Sequence, residues 1–376
     1  MIDGTRAAQP LLADIAQAAE QAASRLLNDG NIYIASSRPD FVSEGFIRSG
    51  GLMMLREYDP QNPPAPHDVV IVGWSDIKAD SDPDLLSQLD KSESLVIGIG
   101  PTGSPFASVG NINLPSDLAY PETVVASLSH NPYPIVSLQN LILLWTFTGE
   151  LVAALSRKKH MPVMFQSVLV PGARDRNASF RSRRFHAVHD VPPIPAGQLG
   201  SSYLDKISGS LAKLLGEVTA LVHTAEACVE VLSNEKRIHA FLISHFPVHQ
   251  AGAPGDPGYM TPLETFTGET PDLAELESKL EPGDLFFFLG YYRRPAQAYE
   301  IARDRGCKIV GIITGADEPA ASGPAPDHFI HPGWHYTDSL VDVPGYDVRI
   351  LPASGILQSA VYWSVVGGIT ERLASS

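Results

Sequence analysis

The chain has 376 residues, 44% of them hydrophobic and 18% charged, an ordinary globular composition whose length suits two domains. A formal net charge of −15 argues against the basic face of a nucleic-acid binder, and no uninterrupted apolar run approaches the ~20 residues of a membrane span. The two cysteines, Cys228 and Cys307, have no metal-ligand spacing, and the N-terminus lacks a basic-then-apolar order, so the expectation is a cytoplasmic protein with no metal and no cofactor.

Residues 10–29, PLLADIAQAAEQAASRLLND, place Leu12, Ile15, Ala19, Ala22 and Leu26 at helical spacing, and Gly30 ends the run. NIYIAS then reads as a short buried strand, and DFVSEGFIRSGG as a helix stopped by Gly50 and Gly51. LMMLREY is a second strand. HDVVIVGW is a third, nearly continuous in apolar residues, as a strand buried on both faces requires. DPDLLSQLDK is a helix with Asp82 or Ser81 as its N-cap, and SLVIGIG is a fourth strand. Strands alternating with helices make this an α/β unit with a mostly parallel sheet.

Gly98, Gly100 and Gly103 fit the spacing G-x-G-x-x-G. A dinucleotide fingerprint follows the first strand of its unit and opens a helix. These glycines follow the fourth strand, and Pro101 and Pro105 oppose a helix. They read as a strand exit that allows close approach, which makes an NAD(P)-dependent Rossmann oxidoreductase the least favoured function. SLQNLILLWTFTGELVAALSRK is a long helix that closes the half. RDRNASFRSRR, from Arg174 to Arg184, carries five arginines; it reads first as a solvated loop and second as an anion or partner patch.

The order then repeats. YLDKISGSLAKLLGEVTALVHTAEACVEVLSN is a long helix, RIHAFLIS matches NIYIASS, and EPGDLFFFLGYY matches APHDVVIVGW. CKIVGIITG matches SLVIGIGP, DHFIHP matches DLAYPE, and SGILQSAVYWSVVGGITERL matches the closing helix. Ile32 pairs with Ile238, Asp68 with Asp284 and Leu95 with Ile309, at offsets of about 210 residues, which implies an internal duplication. The expected division is 1–188, a Pro- and Gly-rich linker at 189–200, and 201–376. The two closing helices are apolar nearly all round, so the halves should bury them as an intramolecular pseudo-dimer, with a further homodimer left open.

Each half resembles a SIS (sugar isomerase) domain, the flavodoxin-like unit of phosphosugar isomerases and phosphosugar-sensing regulators. GNIYIASSRPDFVSEGFIRSGGL is similar to that family's opening strand, phosphate loop and helix, and FIRSGGL to its phosphoheptose-isomerase-like branch. HDVVIVGWSD resembles its central strand, and MPVMFQSVLVPGARDRN a tail found in some of its members. The resemblance covers about 1–185 and, more weakly, 200–376. It implies two flavodoxin-like, SIS-type three-layer sandwiches, and a ligand that is a phosphorylated sugar or another small anionic metabolite. From the acidic charge and the lack of a long apolar run, no nucleic acid and no membrane are expected as partners.

In an open parallel sheet such a ligand sits beyond the C-terminal strand ends. Ser36, Ser37 and Arg38 follow the first strand, Ser75 the third and Thr102 the fourth; Arg293 and Arg294 stand at a helix start in the second half. These are the candidate anion-binding residues. The loops depart from the family: SSRPDF lacks glycine, and WSDIKADSDP carries Asp76, Asp80 and Asp82, which repel phosphate. An aldose–ketose shift also needs a base, for which Glu44 and His130 are the candidates. The histidines 245, 249, 328, 331 and 335 fix no common metal site by their spacing. The expectation is therefore a phosphosugar-binding protein with degenerate loops; the alternative is an active aldose–ketose phosphosugar isomerase.

Overall fold

The structure is a computed structural model. It describes residues 1–75, 82–117, 128, 130–181, 183–243, 245–264, 266–267, 270–291, 293–314, 323–334 and 337–375. The chain forms two compact units. Unit 1 comprises Met1–Ala119, Ile135–Gly209 and Thr337–Ala353; unit 2 comprises Tyr120–Pro134, Ser210–Tyr336 and Ser354–Ser376. Neither unit is one continuous stretch. Unit 1 takes a seventeen-residue segment from late in the sequence, and residues 189–200 lie within it.

Unit 1 begins with the helices α1 (Ile2–Ala8) and α2 (Leu12–Leu27). Its strands are β1 (Ile32–Ser36), β2 (Leu55–Glu57), β3 (Val69–Gly73), β4 (Leu95–Gly100) and β5 (Ile112–Pro115). They form one parallel sheet in the order β2-β1-β3-β4-β5. The register aligns Ile34 with Ile71, Ile71 with Ile97 and Ile97 with Ile112. Period-two alternation sends Val70, Val72 and Val96 to one face, where Leu85 and Leu89 of α4 (Pro83–Lys91) cover them. Asp82 caps α4 by accepting a hydrogen bond from the Leu85 N–H at 3.0 Å. Against the opposite face lies α3 (Pro39–Gly45), so close that a methyl on Gly45 would strike Ile34 and one on Gly73 would strike the Phe41 ring.

The helix α5 (Tyr133–Arg157) is long and apolar enough to cross a membrane by length and composition, but 94% of its most apolar stretch is buried inside the fold. Its Leu144 reaches Gly45 and its Trp145 reaches Gly51, which makes it the core helix of unit 1. Glu150 of α5, fully buried, accepts hydrogen bonds from the N–H groups of Gly197 and Gly200 at 2.6 and 2.8 Å. That arrangement anchors the start of α7 (Gln198–Leu214), which follows the short α6 (Ala173–Phe180). The long helix expected after residue 200 is interrupted. A 3-10 turn at Leu215–Glu217, containing the helix-weakening Gly216, separates α7 from α8 (Val218–Ser233).

Unit 2 contains β6 (Ile238–Leu242), β7 (Met260–Pro262), a ribbon of β8 (Phe266–Thr267) and β9 (Thr270–Pro271), α9 (Leu273–Lys279), β10 (Leu285–Leu289), α10 (Ala296–Asp304), β11 (Lys308–Ile312) and β12 (His328–Ile330). The parallel sheet runs β12-β11-β10-β6-β7. A second ribbon, β13 (Ser339–Val341) with β14 (Ile350–Pro352), belongs to unit 1, and α11 (Ser354–Ser375) packs on α8 in unit 2.

Numbered from the first strand of each unit, both sheets have the order 2-1-3-4-5. The bracing agrees too. Asp68 accepts from the N–H groups of Asn31 and Ala65 at 2.7 and 2.8 Å; Asp284 accepts from those of Arg237 and Glu281 at 3.0 and 2.9 Å. The Asn111 side chain accepts from the Val96 N–H, and the Asp327 side chain from the Ile309 N–H, both at 2.7 Å. The sheet partner corresponding to β12 is β5, the INLP stretch, rather than DLAYPE; residues 118–122 lie outside the described residues.

Candidate functional site

In unit 1 the strand order reverses between β1 and β3, and ligands of open α/β sheets bind outside the carboxyl ends of the strands at such a point. Ser36 ends β1, and its Oγ accepts from the Arg38 N–H at 3.2 Å. Ser37 is exposed, Arg38 is half-buried, and Pro39 opens α3 directly after them. Ser75 lies two residues past β3. Its Oγ accepts from the side-chain amide of Asn140 at 2.8 Å, and the same amide donates to the Trp74 carbonyl at 2.7 Å. Asn140 sits on α5 and is fully buried. The closing helix thus fixes the loop that leaves the central strand. Unit 2 does the same, with Gln358 of α11 donating to the Gly290 carbonyl at 2.8 Å.

Thr102 lines a crevice of about 260 Å³ with Gly98, Gly100, Ser104, Asn113 and Pro115. Its hydroxyl and its N–H both donate to Asp117, the latter at 2.8 Å, so the hydroxyl is already held by a carboxylate. The three glycines have separate local causes. A methyl on Gly100 would lie 2.6 Å from the Trp74 carbonyl oxygen and one on Gly98 2.7 Å from Asn113, whereas Gly103 has open space around it but φ +83°. A 3-10 turn at Pro105–Ser108 follows them, as the strand-exit reading requires. Asp82 turns its carboxylate to its own helix; Asp76 and Asp80 lie outside the described residues.

Glu44, on α3, is buried. Its Oε1 lies 3.2 Å from Nε of Arg48, and Nη2 of Arg48 lies 2.8 Å from Oδ2 of Asp338. All three are at most 4% exposed. Tyr203 of α7, also buried, donates to the Pro352 carbonyl at 3.0 Å. Burial first, then the charges of Glu44 and Asp338 against that of Arg48, pushes its phenol well above the ordinary range. Around this cluster the backbone is left-handed at Ile47 (φ 50°), Asp338 (φ 64°) and Leu351 (φ 66°), a conformation aspartate tolerates but one costly for isoleucine and leucine. Gly50 (φ 75°) is hemmed in by Ser339 and the Leu351 N–H, so only glycine fits there.

His130 belongs to unit 2, where it is exposed with φ 57°. Arg293 and Arg294 also belong to unit 2, in the turn between β10 and α10; Arg293 is exposed and Arg294 half-buried. Among the described residues, no group of three His, Cys, Asp or Glu side chains converges on a point that could hold a metal; His335 lies outside them. Cys228 and Cys307 are buried and unbridged, and burial pushes their thiols up to about 12 and about 11.

The sequence reading thus gathered Ser36, Ser37, Arg38, Ser75 and Thr102 on the strand ends of one unit, and missed Asn140, Arg48 and Asp338. Asn140 had a visible signal, a lone amide inside an apolar helix. Arg48 stands four residues after Glu44, a spacing at which opposite charges meet. Asp338 is nearly 300 residues away and left no local trace.

No protein-family model matches the sequence, and no curated protein matches it. Solved structures do resemble the fold. The C-terminal domain of glucosamine-fructose-6-phosphate aminotransferase from Francisella tularensis superposes with a TM-score of 0.52 at 10% identity, over 99% of this chain and 94% of that one. A candidate phosphosugar isomerase from Clostridium difficile 630 gives 0.52 at 9%, over 100% and 93%. A candidate sugar-binding protein from Salmonella typhimurium LT2 gives 0.50 at 10%, over 99% and 98%. The chain shares with these proteins an α/β fold of two parallel five-stranded sheets with flanking helices.

Proposed function

We propose that the chain binds a phosphorylated sugar at the strand ends of unit 1 and has lost most or all isomerase turnover. The observation that carries this reading is the placement of Ser36, Ser37, Arg38 and Ser75 beside the β1/β3 reversal, with Ser75 fixed by the buried Asn140 amide. Hydroxyls, backbone N–H groups and an arginine are the donors a phosphate needs. The names of the similar structures lend support, since they concern phosphosugars and sugar binding. Loss of turnover is argued from Glu44, whose carboxylate is buried against Arg48 rather than presented at the strand ends. The second reading, an active aldose–ketose isomerase using Glu44 or His130, draws on the left-handed backbone at Ile47 and Leu351, because strain of this kind clusters at active sites.

Two further elements belong to the proposal. The common strand order and the matched pairs Asp68/Asp284 and Asn140/Gln358 support descent of the two units from one duplicated ancestor. The unbridged cysteines support a cytoplasmic setting.

The test is a thermal-shift titration with heptose, hexosamine and hexose phosphates, run beside a coupled isomerase assay. A ligand raises Tm, and Ser37→Asp, which adds a like charge at the site, weakens binding at least about tenfold. Turnover is absent or weak. Robust turnover lost in Glu44→Gln or His130→Ala would establish the enzyme reading instead, and unchanged affinity in Ser37→Asp would move the site away from these strand ends.

A further inference from the structure

The arginine-rich stretch after α6 takes no part in the proposed phosphosugar site. With Arg56 of β2, three of its members, Arg181, Arg183 and Arg184, line a pocket of about 210 Å³ whose floor includes Asn31 and Met54. The pocket lies at the N-terminal ends of β1 and β2, because Asn31 precedes β1 and Met54 precedes β2. The serines of the proposed phosphosugar site lie at the opposite ends of the strands, about 15 Å away at roughly 3.3 Å per residue.

Four guanidinium groups around one small pocket repel one another, and a chain of net charge −15 has carboxylates to spare. Yet among the described residues none of the four is ion-paired with a carboxylate within 4.0 Å. The carboxylate pairs of unit 1 go instead to Arg6, Arg48, Arg157, Lys158, Arg176, Lys206 and Arg349. Arg184 is fixed in place by donating to the carbonyls of Leu26 at 2.9 Å and Gly30 at 2.6 Å. Arg183 lies against the Phe180 ring and Arg184 against the Phe185 ring, which limits how far they swing. Burial holds the Arg184 guanidinium below its ordinary pKa; the charge of Arg56 adds to this, opposed by Asp29 and Asp68. Asp29 and Asp68 offset part of the pocket's charge at a distance, but neither forms an ion pair with any of the four arginines, and both Asp68 oxygens accept backbone N–H groups. Arginines that line one cavity without an ion-pair partner, two of them held by neighbouring rings, are the arrangement that recognises phosphoryl oxygens.

From this geometry we infer a second anion site in unit 1, built by Arg56, Arg181, Arg183 and Arg184, that takes the diphosphate group of a small metabolite. Four cationic groups exceed the charge of about −1.5 to −2 on a single phosphoryl group at neutral pH, so a diphosphate is the better match. The volume is below the ~300–1,000 Å³ of pockets that enclose a whole small ligand, so the remainder of the molecule stays in solvent.

The experiment is isothermal titration of the full chain with pyrophosphate, a nucleoside diphosphate and a sugar 1-diphosphate, the last two showing which carrier the diphosphate arrives on. Saturable pyrophosphate binding is expected. It weakens by roughly tenfold or more in the double variant Arg56→Ala/Arg183→Ala, weakens as salt is raised, and is unchanged in Ser37→Asp. Arg56 and Arg183 are exposed, so the double variant keeps its fold, and circular dichroism checks this. Absence of saturable binding by all three probes, or equal affinity in the folded double variant, overturns the inference. The Ser37→Asp arm keeps its failure distinct from failure of the phosphosugar reading.

Discussion

Arg48 holds two carboxylates, Glu44 and Asp338, out of water and in register. Removing one partner of a buried charge cluster costs far more than the cluster contributes, because the remaining charges lose their compensation. Arg48→Met should therefore cost about 3–5 kcal/mol in urea unfolding. Arg48→Lys should recover only part, since an ammonium lacks the planar fork that reaches both acids. Histidines set a second, pH-dependent effect. Burial lowers the pKa of His186, His239 and His328, and at His239 it outweighs the nearby Asp284. Each takes up its proton less readily in the fold than in the unfolded chain, whose histidines titrate at about pH 6.5, so around and below that value the unfolded state binds more protons. Stability should rise between about pH 5 and 7 and fall on acidification, and His239→Gln should flatten that slope in a pH series of unfolding curves. Little of this was legible in the sequence. Glu44 stood out as a carboxylate on the first helix after the first strand, but burial and the Arg48 guanidinium, itself shared with Asp338, decide what it does. Ser36, Ser37 and Ser75 were legible because strand ends place hydroxyls by topology; the Asn140 amide that fixes Ser75 was not.

At the scale of elements the sequence was more open. VVIVG and LFFFL are wholly buried, and their unbroken apolar runs said so. DPDLL announced both a cap and a helix start, and Asp82 performs the capping. The stretch LMMLREY yielded only three residues of strand, because Met53 and the residues before it are drawn toward Val163 and Phe165 by pairings no local pattern encodes. The helix expected to be stopped by Gly50 and Gly51 ends at Gly45 instead, just before the chain turns left-handed at Ile47. The acid before each central strand was noticed only as a matched letter. Its work is to tie two backbone N–H groups at the strand entrance, and the like geometry in both units makes a paired prediction. Asp68→Ala and Asp284→Ala each strand two N–H groups near the core and should each cost about 2–4 kcal/mol, by urea unfolding monitored at two wavelengths. A large cost at one position and a negligible one at the other would show that the shared bonding carries different loads.

Over the whole molecule, the order of strands repeats while the boundaries of the units do not follow the sequence. Residues 337–353 supply unit 1 with Asp338, the β13–β14 ribbon and the Pro352 carbonyl that accepts the Tyr203 hydroxyl. A division at 189–200 can be read from proline and glycine content, but an exchanged segment cannot, since nothing local distinguishes VDVPGYDV from any surface loop. A chain ending at residue 214, where α7 ends, should therefore lack cooperative unfolding and bind a hydrophobic dye, as measured by calorimetry and fluorescence. Adding a 337–353 peptide in trans should restore a cooperative transition in calorimetry if the ribbon is what it misses. The same exchange constrains the order of events during synthesis. Roughly 140 residues separate the end of the second segment of unit 1 from the end of its third. At about 5–20 residues per second the ribosome needs on the order of 7–30 s to bridge that gap. Throughout this interval the nascent unit 1 has Arg48 without Asp338 and Tyr203 without the Pro352 carbonyl, so its maturation is timed by translation.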